Sequence, residues 1–267
     1  MIDHMKISII TTNFNTDKYL EQTIKSILSQ KGGFELEYII TDGGSKDNSL
    51  DIIKKYDKEI KNGKWGGHIT FRWISEKDKG QSDGINKGLK MATGDIVAFL
   101  NADDLYTDGA LDRVVTYFKE NPDCMWLTGY CPVINEDGEE IRKLITKYKE
   151  LKLSVFSLID NNISQPATFW RSELMEEVGF IDESYHYSMD QEFWIRIAKK
   201  YRLSIIKENL AKFRFVSGTK TASAGEKTLE ESRRITKKYT NNKIVLFRQW
   251  IGIQMRLILK KLLSLIN

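Results

Sequence analysis

The sequence of 267 residues has only two cysteines and three histidines, and both shortages exclude chemistry. Cys124 and Cys131 flank the apolar run MWLT and the pair GY, a stretch that reads as an extended strand and would hold the two thiols apart. A disulfide scaffold is therefore excluded, and buried, reduced thiols of a cytosolic protein are expected. His4, His68 and His186 are too scattered to build a zinc site. No early segment joins basic residues, a long apolar core and a cleavage site, so no leader is read. The first strand-like run is not followed by GxGxxG, which disfavours an enzyme that closes its backbone on a dinucleotide pyrophosphate.

What is present is a chain with 41% apolar content, enough for one large core or one core with an appendage. Its charge is divided. Residues 1–198 hold 24 Lys and Arg against 33 Asp and Glu, whereas residues 199–267 hold 17 against 4. An acidic body with a basic tail suggests an anionic partner for the tail, nucleic acid or a lipid surface.

Short β-rich apolar runs at 6–12, 36–42, 69–75 and 95–101 alternate with helix-like stretches at 17–30, 46–60, 82–91 and 108–120. This βαβαβαβ order predicts an α/β fold with a mainly parallel sheet covered by helices, whose ligands sit beyond the carboxyl ends of the strands. All four ends are polar: TTNFNT (11–16), TDGGSKDNS (41–49), SEKDKGQSDGINKG (75–88) and FLNADDLY (99–106). Each alone is explained by a turn and a helix cap: Ser45 or Asp47 before the second helix, Asp103 and Asp104 before the fourth. Together they line one edge with acids. Such an edge repels phosphate unless a divalent cation intervenes, and hard oxygen ligands suit Mg²⁺ or Mn²⁺ carrying a diphosphate.

KISIITTNFN, YIITDGGSKDNS, SEKDKGQSDGINKG, ATGDIVAFLNADDLY and QPATFWRSELMEEVGFIDESYHYSMDQEFWIRIA resemble, in that order, the motif series of family 2 glycosyltransferases with the GT-A fold, of the bacterial surface-polysaccharide type. The similarity spans roughly residues 5–215. It implies a Rossmann-like catalytic domain over 1–215, with a nucleotide-sugar half (1–105) and an acceptor half (106–215). A mobile loop and helix (216–241) and a basic amphipathic helix (242–267) are expected to follow.

Position by position, the resemblance puts Thr11, Asn13 and Asn15 against the nucleotide and Asp42 at its base. Asp78, Gly80 and Asp83 fall along the nucleotide and donor sugar. Asn101, Ala102 and Asp103 match Asp-x-Asp, with Asp103 on the metal and Asp104 beside it. Asn101 replaces the usual first acid, though its amide oxygen can bond to ribose or metal-bound water. Val216 stands where many relatives have a histidine, leaving the metal to Asp103 and the diphosphate.

The resemblance assigns the general base to Asp190 in MDQEFW, with Glu192 the second choice. Beside it stands a plainer reading: Ser188 and Gln191 form a capping box, and Asp190 favours the helix dipole. Gln165, Trp170 and Glu192 are placed toward the acceptor, although Trp170 and Trp194 also read as core. Lys220 lies in a Gly, Ser and Thr setting that suits either a loop closing over the phosphates or a surface connection.

Residues 242–267 form a helical pattern too interrupted by charge for a membrane span, which needs about 20 apolar residues. Leu246, Phe247, Trp250, Ile251, Ile253, Leu257, Ile258 and Leu262 cover one arc, with Arg248, Gln249, Arg256 and Lys260 opposite. An interfacial helix on an anionic leaflet is expected, or one docked on the chain's own core or a second subunit. The basic tail lacks interleaved stacking aromatics, so nucleic acid is not expected.

The function read from all this is metal-dependent, inverting transfer of a sugar, UDP-hexose by preference, to a glycan or lipid-linked acceptor at the inner face of the plasma membrane. A silent carbohydrate- or nucleotide-binding protein is the alternative. A sugar nucleotidyltransferase is disfavoured because TTNFNT lacks a Gly- and Arg-rich first loop. Homo-oligomerisation is left open.

Overall fold

The computed structural model describes residues 5–142, 163–216 and 225–263. The amino-terminal half alternates as expected: β1 (Met5–Asn13), α1 (Asp17–Leu28), β2 (Phe34–Asp42), α2 (Ser49–Lys61), β3 (Ile69–Ser75), α3 (Gln81–Met91) and β4 (Ile96–Phe99). β5 (Leu105–Tyr106), α4 (Ala110–Glu120), β6 (Trp126–Tyr130), β7 (Val133–Ile134) and β8 (Glu140–Arg142) follow. After a short 3₁₀ turn at Gln165–Ala167 come β9 (Thr168–Arg171), α5 (Leu174–Val178), α6 (Met189–Ala198), β10 (Ser204–Asn209), β11 (Ala211–Arg214), α7 (Gly225–Tyr239) and α8 (Lys243–Leu263).

Seven strands form the central sheet in the order β10-β6-β9-β4-β1-β2-β3. β1 lies parallel to both β2 and β4, while β9 runs antiparallel between β4 and β6. The chain winds outward from β1 through β2 and β3, then returns to its other side with β4. That reversal opens a crevice beyond the carboxyl ends of β1 and β4, the place where open α/β sheets bind ligands.

Local sequence explains the layers. Ile7, Ile9 and Ile10 of β1 and Leu36, Ile39 and Ile40 of β2 are buried from both faces, as the apolar residues of a helix-covered parallel sheet must be. In α1 the buried residues Tyr19, Leu20, Thr23, Ile24, Ile27 and Leu28 recur with helical period and pack one face onto the sheet. The other face is covered by α3 and α6, where Ile85, Leu89, Phe193 and Trp194 join Phe99 and Trp170. At Gly88 a Cβ would stand 2.3 Å from the Ile10 side chain, so α3 approaches β1 at a distance that only glycine allows.

A second, four-stranded sheet, β5-β11-β7-β8, folds back behind the Asp103–Asp104 turn. Both cysteines are free and buried, as expected. Among the described residues no helix is long and apolar enough to cross a membrane.

Candidate functional site at the carboxyl edge of the sheet

The end of β2 is organised by one carboxylate. Asp42, 2% exposed, accepts hydrogen bonds from Asn13 Nδ2 (2.7 Å), Ser45 Oγ (2.5 Å) and Ser75 Oγ (2.6 Å), and from the N–H groups of Gly44 and Ser45. Burial opposes its ionisation, but the donated hydrogen bonds outweigh it and hold Asp42 below the usual carboxylate range. Five donors saturate the group. Asp42, expected at the base, here joins β1, β2 and β3 at the crevice floor.

Asn13 Oδ1, beside it, and Thr41 Oγ1, on the opposite side of β2 that faces Gly84 of α3, are buried with no hydrogen-bond partner among the described residues. Orphaned polar atoms at two adjacent strand ends are the feature expected where a polar ligand completes the site. Asn15 adopts a left-handed φ of 52° and accepts from the Lys46 N–H, so it braces the two loops from outside. Thr11 lies elsewhere. It is fully buried within β1, accepting from the Tyr38 hydroxyl, and the expectation that it meets nucleotide is overturned.

The third strand end brings Asp78 to the same floor. A Cβ on Gly43 would stand 2.6 Å from Asp78 Oδ2, and one on Gly84 would stand 3.3 Å from it, so the carboxylate rests against two glycines. Asp78 accepts from the Gly80 N–H at 3.0 Å, and Gly80, with φ 131°, makes a turn that glycine favours. Asp83 accepts from the Lys79 N–H and pairs with Lys87 at 3.5 Å; the Lys79 hydrogen bond is the main cause of its lowered pKa.

At the fourth end the two adjacent acids divide their work. Asp104 is fully buried and accepts from the Arg214 N–H (2.9 Å) and from Asn101 Nδ2 (3.1 Å). Burial, and then the neighbouring Asp103, push its carboxyl well above the ordinary range. Asp104, expected beside Asp103 as a metal ligand, here ties β11 and Asn101 to the turn. Neither acid caps α4, whose N-cap is Gly109. Ala102 is also buried, its carbonyl accepting from Thr23 Oγ1, which removes it from ligand contact.

Asn101's amide oxygen is engaged by Gln81 Nε2 at 2.7 Å, so it is not the open oxygen anticipated for ribose. Gln165 accepts from Asn101 and donates to the Phe99 carbonyl, bracing β4 where it leaves the sheet. Asp103 is half-buried, with no hydrogen bond from another described residue, and burial raises its carboxyl. Among the described residues no group of three or more His, Cys, Asp or Glu could hold a metal ion unaided. One such carboxylate fits Mg²⁺ or Mn²⁺, which keeps few protein ligands and takes its other oxygens from phosphate and water.

Sequence reasoning missed the residue that holds this turn. Arg214, 1% exposed, donates Nε to the Asp103 carbonyl, Nη1 to the carbonyls of Asn135 and Glu136, and Nη2 to Gln22, while its guanidinium lies over the Tyr19 ring. A lone arginine inside the short apolar run KFRF is its only sequence signal.

The segment 181–188 packs over α3 and leads into α6. Ser82 Oγ donates to the Tyr185 carbonyl, Asn86 exchanges hydrogen bonds with the backbone of Ile181, and the His186 ring lies against Gly80. Asp190 follows in the first turn of α6, half-buried, and accepts from the Gln191 N–H at 2.8 Å. The capping box does not form: Ser188 Oγ donates to the Thr228 carbonyl and makes no cap.

Glu192 is fully buried, ion-paired with Arg196 and Lys238 at 2.9 Å each and accepting from the Tyr239 hydroxyl, which takes it away from any acceptor. Trp170 is likewise fully buried, edge-on to Phe99, Phe193 and Trp194, because β9 is an interior strand. It is core. Lys220 lies outside the described residues.

The family model described as glycosyl transferase family 2 matches residues 8–178. A glycosyltransferase of Nostoc sp. is 29% identical over 254 residues, covering 90% of this chain and 76% of its own length. The poly(ribitol-phosphate) β-N-acetylglucosaminyltransferase TarP of Staphylococcus aureus is 32% identical over 161 residues, covering 59% of this chain and 45% of its own. In the structure of S. aureus TarS 1-349 in complex with UDP-GlcNAc, the likeness has a TM-score of 0.69 at 20% identity, over 92% of this chain and 69% of that one. For the mannosyltransferase PcManGT of Pyrobaculum calidifontis in complex with GDP-Man and Mn²⁺, the TM-score is 0.63 at 15% identity, over 99% and 81%. Those two likenesses establish the GT-A fold. Because the family match extends over well more than half of the sequence and takes in all four strand ends of the crevice, the chain belongs to glycosyl transferase family 2 and is a glycosyltransferase.

Proposed function

We propose that the chain transfers a sugar, with inversion, from a UDP-sugar to a hydroxyl of a glycan or lipid-linked acceptor during surface polysaccharide synthesis. The observation that carries this reading is the docking of 181–188, the segment that leads into the helix of Asp190, onto α3, with the His186 ring against Gly80. In this reading the nucleotide, a cation at Asp103 and the base Asp190 meet at one edge of the sheet. UDP is favoured because a curated relative is named an N-acetylglucosaminyltransferase and a structural neighbour holds UDP-GlcNAc.

In this reading the nucleoside completes the hydrogen bonding of Asn13 Oδ1. The acceptor oxygen bonds to the anomeric carbon as the bond from that carbon to the diphosphate breaks, and the acceptor's proton passes to the Asp190 carboxylate. Mg²⁺ or Mn²⁺, when bound at Asp103, supplies Lewis-acid neutralisation of the departing diphosphate. Support for a divalent ion comes from the Mn²⁺ of the mannosyltransferase neighbour and from the half-buried Asp103 carboxylate, which takes no hydrogen bond from another described residue.

The acceptor is proposed to be met at an anionic membrane surface. Ile244, Phe247, Trp250, Ile251, Met255 and Ile258 of α8 are exposed, with Lys243 and Arg248 beside them.

The test is UDP release from UDP-GlcNAc with and without Mn²⁺, together with UDP binding by calorimetry. Asp190→Asn is expected to lower release about 10²- to 10⁴-fold and to leave UDP affinity unchanged. Absence of UDP binding in the intact protein would sink the reading.

A further inference from the structure

We infer that Glu231, on α7, is a positioning residue for Asp190; the inference rests on the glycosyl-transfer reading above. Its carboxylate accepts three consecutive backbone N–H groups: His186 at 2.8 Å, Tyr187 at 2.7 Å and Ser188 at 2.9 Å. These are the last three residues before α6, and Asp190 is the second residue of that helix. The Ser188 N–H, which in a capping box is accepted by the side chain of the third helical residue, is accepted here by a carboxylate more than forty positions downstream.

Charge-assisted hydrogen bonds of this kind are stronger than neutral ones, and here they converge on one turn. That turn carries two things at once: the His186 ring against Gly80, on the donor side, and the Asp190 carboxylate. Glu231 is not an isolated contact either. Arg234 donates to the Ser184 carbonyl at 2.6 Å and lies over the Tyr185 ring, and Lys238 bridges Asp182 and Glu192. α7 therefore clamps residues 182–192 along its length, with Glu231 the member that grips the turn at the base.

Removing the carboxylate leaves three adjacent N–H groups to water and frees the turn to shift. A displacement near 1 Å at a reacting group costs up to about 10²-fold in rate. Glu231→Ala is accordingly expected to lower turnover of UDP-GlcNAc with Mn²⁺, water serving as acceptor, by about 10- to 100-fold. The KM for donor and the affinity for UDP should stay within about twofold, because the floor at Asp42 and Asp78 does not touch Glu231. Glu231→Gln, which keeps one acceptor oxygen, should recover part of the loss. Placed on Asp190→Asn, Glu231→Ala should add nothing.

A destabilised control separates position from stability. Gln249→Ala cuts hydrogen bonds from α8 to Ser232 and Thr236 without touching the turn, and is expected to lower the melting temperature while turnover holds. Amide exchange gives a readout free of activity: residues 186–188 and the first turn of α6 lose protection in Glu231→Ala and keep it in Gln249→Ala. Unchanged exchange, or wild-type turnover in Glu231→Ala, or an equal loss of turnover in Gln249→Ala, overturns the inference. Failure of the intact protein to bind UDP overturns instead the reading on which it rests.

Discussion

The backbone N–H of Arg214 donates to the Asp104 carboxylate at 2.9 Å, tying β11 to a turn 110 positions earlier in the chain. The same arginine donates its Nε to the carbonyl of Asp103. One residue thus fixes both members of the acidic pair, but through different atoms: it occupies the carboxylate of Asp104 and leaves that of Asp103 free.

The two acids should therefore fail in different ways. Asp104→Ala leaves the Arg214 N–H unpaired in the interior and removes one of the acceptors of Asn101 Nδ2, and is expected to cost about 1–3 kcal/mol of unfolding free energy. Asp103→Ala removes a partly buried acid whose ionised form is disfavoured, so the denaturation midpoint should hold or rise. The response of UDP release to Mn²⁺ should disappear. Chemical denaturation beside a Mn²⁺ titration checks both; a large loss of stability in Asp103→Ala would contradict the division of labour.

Gly43 tests the floor of the crevice. A methyl group there would stand 2.6 Å from Asp78 Oδ2, closer than real contacts allow, so Asp78 must move. Overpacking of this kind costs about 1–3 kcal/mol, which as lost UDP affinity is about 5- to 150-fold. Gly84→Ala meets the same carboxylate at 3.3 Å and should be milder. Calorimetry with UDP ranks the pair, and equal affinities would place the ligand away from Asp78.

The sheet was legible because Ile7–Ile10, Leu36–Ile40 and Ile96–Phe99 are apolar but for Ser8 and Glu37, and the polar ends of parallel strands share one edge. The same rule located the crevice. What sequence order conceals is which polar atoms at that edge are already satisfied. Asp42 and Asp104 look like ligands by residue type, yet Ser45, Ser75, Asn13, Asn101 and Arg214 consume their lone pairs. Trp170 and Glu192 misled for a related reason. β9 inserts between β4 and β6, and α7 packs over α6, so both side chains are interior, and neither packing is encoded within the motif that carries them.

Acid sensitivity should arise at two buried carboxylates. Glu37 accepts from Ser8 Oγ (2.6 Å) and from the Thr93 N–H (2.7 Å) and pairs with Lys6 and Arg72. Burial opposes its charge, but those hydrogen bonds and Lys6 lower its pKa below 4.5; Asp42 is likewise held below 3.8. Both folded values lie under the unfolded ones. Their stabilisation is therefore complete above about pH 5 and is lost as pH falls through the folded pKa values. The denaturation midpoint should drop below about pH 4, and Glu37→Gln should be less stable at neutral pH with a shallower acid slope. A parallel slope in that variant would remove Glu37 from the cause.

Helix α8 turns the expected amphipathic arrangement partly inside out. Gln249, placed by the wheel on the solvent side, is 2% exposed and donates to the Ser232 carbonyl and to Thr236 Oγ1, while Ile244, Phe247, Ile251, Met255 and Ile258 face outward. The polar contact anchors α8 to α7 and directs the apolar stripe away from the chain. Burying each such side chain in an interface is worth about 1.5–3 kcal/mol, and each nearby Lys or Arg adds about 1 kcal/mol at an anionic surface. Co-sedimentation with phosphatidylglycerol vesicles is expected, weakened at high salt and with neutral phosphatidylcholine. Phe247→Glu should reduce it by tenfold or more, with UDP binding intact. If the protein instead sediments as a dimer in vesicle-free buffer and Phe247→Glu makes it monomeric, a second copy covers the stripe and the membrane assignment fails.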